Sequence, residues 1–530
     1  MKVYKIIIIL FIASLGMNVF AGEKYWVFFR DKKDVSFNPF EYFDEKAIKK
    51  RKALGIDLLQ ESDLPLNIDY CNEISRYADI SMKSRWLNAV AVSLDASDIQ
   101  KIEDFEFVKE VRRMTMVSRK TEAHQDIDSV QLAHLKRQLD IFGGGIFHDK
   151  EINGEGVRIA VFDGGFPSVD QLEIFSHLFE EERIVGTWDF VNDREFVYDY
   201  NSHGTSVLAC IAGVLNGKRF GLAPGAEFLL ARTEVNTEIF AEEEYWAAAM
   251  EWADKNGADI ISSSLGYTYH RYFPRQMDGK SVFVTRMANL AARKGILVIN
   301  SAGNDGDSDW EVISAPGDAD SVLTVGGISN MEGLHISFSS YGPTYDGRLK
   351  PNVVAFGKVI TTGKNDIKTA YGTSFSTPLV SGFAACVMQL NPEWNNMKVF
   401  REIEKSGHLY PYYDYAHGYG VPQAAYFMDC EPDTGPTFSF SEKLNYLDIE
   451  LKIGNGKENT LHCNGMKANY FGHDHYYLYY HIASEKTGEI RRYRVVRMTE
   501  ADSYSIDLDE IKKGEYVMAH YMGYTEKYQF

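Results

Sequence analysis

From about Val157 onward, apolar strand-like runs alternate with helical patterns, and this alternation constrains the fold more than any other feature of the chain. Val157 to Phe162, Glu227 to Ala231, Ala258 to Leu265, Ile296 to Ser301 and Ser321 to Ile328 read as strands. Their nearly continuous apolar content suits burial on both faces. Thr205 to Leu215, Glu242 to Asn256 and Val282 to Lys294 read as helices between them. The pattern predicts an α/β fold, a parallel sheet covered by helices on both faces, with its sites in loops at the C-terminal ends of the strands.

The 530 residues exceed what one hydrophobic core usually serves, so further units flank this one. Met1 to Ala21 carries lysines at 2 and 5, the apolar run Ile6 to Leu15, and a small-x-small ending at Ala21, which reads as a secretory signal peptide, residues 1–21. Residues 22–118 hold strand-like Lys24 to Phe29 and Trp86 to Leu94. A short helix capped by Asp95 to Asp98 and a strand at Phe107 to Val111 complete a small α+β unit. Polar Ser118 to Ser129 has little to bury and marks residues 119–130 as an exposed linker. The α/β unit spans 131–428. Residues 429–530 are Tyr-rich with short alternating runs, the pattern of a small antiparallel β domain.

A net charge of -19 argues against nucleic acid or an anionic membrane as partner, since both attract clustered Lys and Arg. No stretch after the leader is long and apolar enough for a membrane span. Of the five cysteines, Cys210 and Cys386 sit in apolar runs and read as buried small hydrophobes, while Cys430 and Cys463 are close enough in sequence to bridge.

Four segments at the ends of α/β elements carry chemistry-bearing side chains. Asp163 ends the run Ile159 to Phe162; His203 precedes an apolar helix; Asn304 follows a strand; Ser374 stands in Gly372-Thr373-Ser374 before the buried helix Leu379 to Met388. Taken singly these are ordinary turns and caps. Together they supply a hydroxyl, an imidazole to take its proton, a carboxylate to orient the imidazole, and an amide donor for an oxyanion.

In this chain order, with His203-Gly204-Thr205, Ser301 to Asn304 and Gly372-Thr373-Ser374 followed by Pro378, the sequence resembles the subtilisin-like (subtilase) serine endopeptidases over about Gln131 to Met428. The resemblance implies that Asp163 orients, His203 is general base and then acid, and Ser374 is the nucleophile. It implies that Asn304 and the Ser374 N–H form the oxyanion hole, and that Ser264, Leu265 and Gly266 bind substrate backbone. Gly164, Phe375 and Ser376 depart from the family's usual residues, and Gly164 removes a hydroxyl that could support the Asp163 carboxylate.

By the same resemblance residues 22–118 are an inhibitory prodomain, the alternative being a permanent accessory domain. The run Ile506 to Met518 resembles the C-terminal sorting domains used for secretion by Bacteroidetes-type bacteria, the alternative being a plain structural or binding β domain. The chemistry implied needs no cofactor. Structural calcium is common in the family, and Asn304 to Asp309 is an oxygen-rich candidate loop. The expectation is a secreted or cell-surface endopeptidase acting on protein or peptide substrates, with its own prodomain as a partner. The alternative is a non-catalytic subtilase-like binding or adhesion protein.

Overall fold

The computed structural model describes residues 23–94, 98–113, 129–235, 241–269, 271–364, 366–428, 435–452, 460–463, 466–469, 476–499 and 501–530. The predicted signal peptide, residues 119–128 of the predicted linker and Cys430 lie outside them. The chain divides into two compact units, Met1–Val35 with Pro65–Met114, and Ser36–Leu64 with Thr115–Phe530.

The first unit is a four-stranded antiparallel sheet in the order Asp79–Ser84, Ala89–Leu94, Glu23–Phe29, Val108–Arg113. Val27, Phe29, Val90 and Val92 meet Ile74 of helix Ile68–Ile74 and Ile102 of helix Ile99–Glu103 in one core. The expected short helix is present, although Asp98 makes no side-chain capping bond. The strand Asp79–Ser84 was not expected, since its Asp, Lys and two Ser residues mask the pattern.

The second unit includes, near its start, helix α1 (Glu45–Ala53) and is built around a seven-stranded sheet. Its strands are β1 (Arg158–Asp163), β2 (Ile184–Asp189), β3 (Glu227–Arg232), β4 (Ile260–Ser263), β5 (Leu297–Ser301), β6 (Val322–Ile328) and β7 (Val353–Phe356). They lie in the order β7-β6-β5-β4-β1-β3-β2, every pair parallel. Five of the seven are the expected strands. Of the two unexpected strands, β7 and β2, the latter is an edge strand whose residues other than Asp189 stay partly exposed, so it lacks the apolar run that marks its neighbours.

Helices α2 (His203–Ala212), α3 (Ala241–Lys255), α4 (Phe283–Arg293) and α5 (Thr373–Leu390) accompany the sheet. Neighbouring residues on a strand face opposite ways, and β4 shows what each face meets. Ser262 Oγ accepts from Ser381 of α5 at 2.9 Å, and Ser263 Oγ accepts from Trp246 Nε1 of α3 at 3.1 Å. The sheet is therefore covered on both faces. Helix α2 stops earlier than expected, at Gly213, and Val214–Leu215 pair instead with Lys218–Arg219. Cys210 and Cys386 are fully buried in this core, and burial pushes the Cys210 thiol up to about 12.

The C-terminal residues form the expected antiparallel sheets. Of the two larger ones, one pairs Phe438–Lys443, Tyr446–Leu451 and Ser503–Asp507; the other pairs Ile490–Arg497, Tyr477–Ser484, Glu515–Tyr521 and Tyr524–Gln529. Both contribute to one core through Leu447, Ile449, Ile482, Ile506 and Val517. This domain is joined to the α/β part through residues 409–419. Tyr412 stacks on His481 with centroids 5.1 Å apart, His481 Nδ1 bonds the Tyr413 carbonyl at 2.7 Å, and Tyr415 packs with Ile490.

Burial pulls the imidazoles of His481 and His335 down from 6.5 to about 4. The unfolded chain therefore binds more protons than the folded one between these values, and stability rises with pH across that window. Calorimetric melting is expected to show the midpoint falling as pH drops from about 6.5 toward 4, with His481→Phe reducing that slope.

Candidate active site

Sheet register brings three expected segments to one level. Phe162 is paired with Ser263, Ser263 with Asn300, and Ser301 with Val325, so Asp163, Ser264 and Ser301 all leave the sheet at its C-terminal end. Asp163 is the last residue of β1 and is 1% exposed. A carboxylate held there must find donors within the protein.

It finds two. The Gly164 N–H donates to Asp163 Oδ1 at 2.7 Å, and His203 Nδ1 lies 3.0 Å and 2.9 Å from the two carboxylate oxygens. The backbone thus supplies the support that a hydroxyl at position 164 would have given. A Cβ at Gly164 would lie 3.2 Å from the Asn201 Cβ, so the glycine also fits a tight approach. Asn201 in turn accepts from the His203 N–H at 2.9 Å and helps seat the start of α2. Gly204 allows that seat, because a Cβ there would come within 2.9 Å of the Asp163 Cβ.

The His203 side chain is 31% exposed, and the Phe375 ring lies against it with centroids 5.3 Å apart. Burial pulls the imidazole pKa down, but the charge and hydrogen bond of Asp163 outweigh it, and the net shift is upward from 6.5. Phe375, which departs from the family's usual residue, therefore touches the expected base.

Ser374 occupies the second position of α5, one residue inside the helix. Gly372, at φ +139, is the N-cap, so Ser374 is not itself the cap. Its Oγ donates to the Ser264 carbonyl at 3.3 Å. The return contact is shorter, with Ser264 Oγ donating to the Ser374 carbonyl at 2.7 Å. That carbonyl would ordinarily accept from the N–H four residues on, but residue 378 is proline and has none. Ser264 thus satisfies an oxygen that Pro378 leaves unpaired, a role that the proline four positions after Ser374 could have signalled.

Asn304 is exposed beside the same helix start. Its Oδ1 accepts from the Thr373 N–H at 2.8 Å and from Thr373 Oγ1 at 3.0 Å. Fixing the carbonyl end holds the carboxamide at the helix start, where a Cβ at Gly372 would lie 3.5 Å from Nδ2 and 3.6 Å from Oδ1. The Leu265 carbonyl accepts from Asn300 Nδ2 and Ser301 Oγ, and exposed Gly266 continues from it. A Cβ at Gly266 would meet Ser314 Oγ at 2.5 Å, and one at Gly303 would meet the same atom at 2.9 Å. Tyr267 turns inward, its hydroxyl on Glu234 at 3.0 Å, whereas Tyr269 is exposed against Trp310.

Two family models match the chain, "Subtilase family" over residues 154–420 and "Peptidase S8 propeptide domain, Bacteroidota" over 24–128. The chain belongs to the subtilase family. Similar proteins include Serine protease AprX of Bacillus subtilis (strain 168), 31% identical over 287 residues, which is 48% of this chain and 62% of that protein. Subtilisin BL of Lederbergia lenta is 30% identical over 49% of this chain and 86% of its own length. Alkaline elastase YaB of a Bacillus species is 25% identical over 73% of this chain and 86% of its own. This subtilase thus carries the parallel sheet with its helices, a propeptide region before it and additional β sheets after it.

The raised His203 value generates a direct check. In an NMR titration of the full subtilase chain carrying Ser374→Ala, the imidazole is expected to titrate above 6.5, and Asp163→Asn to lower it.

Proposed function

We propose that this subtilase is a secreted serine endopeptidase that hydrolyses peptide bonds through an acyl-enzyme. The observation that carries the reading is the contact of both Asp163 oxygens with His203 Nδ1, beside the helix start that bears Ser374. Bonded to Asp163, Nδ1 keeps its proton, which leaves Nε2 as the basic nitrogen. Nε2 takes the Ser374 proton as Oγ attacks the scissile carbonyl. The oxyanion that forms is met by the Ser374 N–H at the positive end of α5 and by the Asn304 NH₂. His203 then gives its proton to the leaving amine, and water repeats the sequence on the ester. Substrate backbone lies along Ser264, Leu265 and Gly266, with the residue before the scissile bond directed toward Ser314.

The chemistry needs no cofactor. Among the described residues no group of three or more His, Cys, Asp or Glu side chains is placed to hold a metal, and in the Asn304 to Asp309 loop Asp307 accepts from Ser337 at 3.2 Å. Secretion rests on the leader at 1–21 and on the sorting-domain likeness of Ile506 to Met518. Among the described residues no helix is long and apolar enough to cross a membrane.

One observation favours the non-catalytic alternative, the Ser374 hydroxyl bonded to Ser264 instead of to an imidazole. That bond is long and weak, and rotation about a single side-chain torsion releases it. Peptidase assays separate the two readings. Ser374→Ala is expected to lower kcat/KM roughly a million-fold, Asp163→Asn about 10,000-fold and Asn304→Ala roughly 100- to 1,000-fold in kcat. Because only neutral imidazole accepts a proton, kcat/KM should fall on acidification along a limb centred above pH 6.5. Wild-type protein without peptidase activity would favour the alternative.

A further inference from the structure

Residues 36–64 are joined at both ends to the small N-terminal sheet, yet they belong to the same compact unit as the protease body. They meet it where its strands begin, at the end of the sheet opposite Asp163, Ser264 and Asn304. The Asp44 N–H donates to the Lys255 carbonyl at the end of α3, and the Asp44 side chain both caps α1 and accepts from Arg158 of β1. Lys46 bonds the Gly156 carbonyl at 2.9 Å and pairs with Asp259 at 2.7 Å. Lys50 donates to the Ala258 carbonyl. These two lysines of the strap, residues 36–64, thus bond carbonyls and a carboxylate in the turns that precede β1 and β4.

The centre of the contact is a buried chain of alternating charges. Arg51, with no exposed surface, bonds Asp254 of α3 and Asp63 of the strap; Asp63 also bonds Lys294, which follows α4. Lys294 Nζ completes its set with Gln60 and Ser62, also in the strap. Asp254 is 1% and Lys294 2% exposed, so the body holds two charges whose partners are mostly supplied by the strap. Two body glycines complete the fit. A Cβ at Gly295 would press within 2.5 Å of Leu54, and one at Gly257 within 2.9 Å of the Ala47 nitrogen.

We propose that residues 36–64 are a permanent part of the protease body, and stay docked on it as a second, noncovalently held chain after the rest of the propeptide is removed. This rests on the protease reading above. Hydrolysis on either side of the strap adds one water per peptide bond and leaves a new carboxylate and a new amine, while the ion chain and the glycine seats are untouched. The strap is distinct from an inhibitor of the cleft, since it occupies the far end of the sheet and leaves Ser374 clear.

The test uses the full chain carrying Ser374→Ala, so that its outcome does not depend on self-cleavage. After limited digestion with thermolysin and native gel filtration, mass spectrometry of the body fraction should find a peptide covering about residues 36–64 in equal amount, with the flanks at 23–35 and 65–113 lost. Arg51→Glu, which sets a carboxylate against Asp63 and Asp254, should release that peptide at least tenfold faster. Body without the strap peptide would overturn the proposal. Hydrogen exchange on the undigested Ser374→Ala chain gives a second measure that needs neither cutting nor Arg51→Glu to fold. Amides of α1 should exchange at least tenfold more slowly than those of Ile68–Ile74, and equal rates would overturn the proposal. A strap that stays in this digest while wild-type protein shows no peptidase activity would sink the protease reading alone.

Discussion

The buried carboxylate of Asp163 is the constraint on which the rest of the site depends. At the end of a central strand it is cut off from water, and an unsatisfied or unpaired charge there would cost several kcal/mol, by order of magnitude. The fold meets this demand with the Gly164 N–H on one oxygen and His203 Nδ1 on both. Satisfying the charge therefore fixes the imidazole, and the need to bring His203 so close dictates glycine at 204. Stability and chemistry share these contacts, so the orientation of His203 is set by folding before any substrate arrives.

A second coupling joins the helix start to the sheet. Pro378 ends the possibility of an ordinary helical bond to the Ser374 carbonyl, and Ser264 from the end of β4 supplies the missing donor. The Asn304 carboxamide is tied to the same turn through Thr373. Ser374, Asn304 and the strand end at Ser264 are thus held by short bonds to backbone, which keeps their separations nearly rigid. Phe375 closes the arrangement from the other side by lying against the imidazole.

How far the sequence alone reveals this structure depends on burial. Strands whose every residue is buried, such as Ile159 to Phe162 and Leu297 to Ser301, announce themselves as apolar runs. The edge strand Ile184–Asp189, with Gly186 and partly exposed residues, does not. The candidate site is legible because Asp163, His203, Asn304 and Ser374 stand at element ends in a recognisable order, but the Gly164 donor is hidden, since a backbone N–H leaves no mark in the sequence. Residues 36–64 were the least legible. Glu45–Ala53 carries six charged residues in nine and reads as a solvated helix, yet Arg51 is fully buried because Asp63 and Asp254 reach it from distant positions. Buried ion chains are a tertiary property, and no local periodicity encodes them.

On the proposed reading, the reactivity of Ser374 comes from its neighbours. A helix-terminal hydroxyl without Asp163 and His203 would be inert toward acyl and phosphonyl electrophiles, whereas one with an oriented base is selectively modified. The decisive measurement is peptide mapping of the chain after treatment with an organophosphonate. The account predicts one covalent adduct, on Ser374, that is lost in His203→Ala; an adduct on another residue, or one on Ser374 that forms equally well without His203, would contradict it.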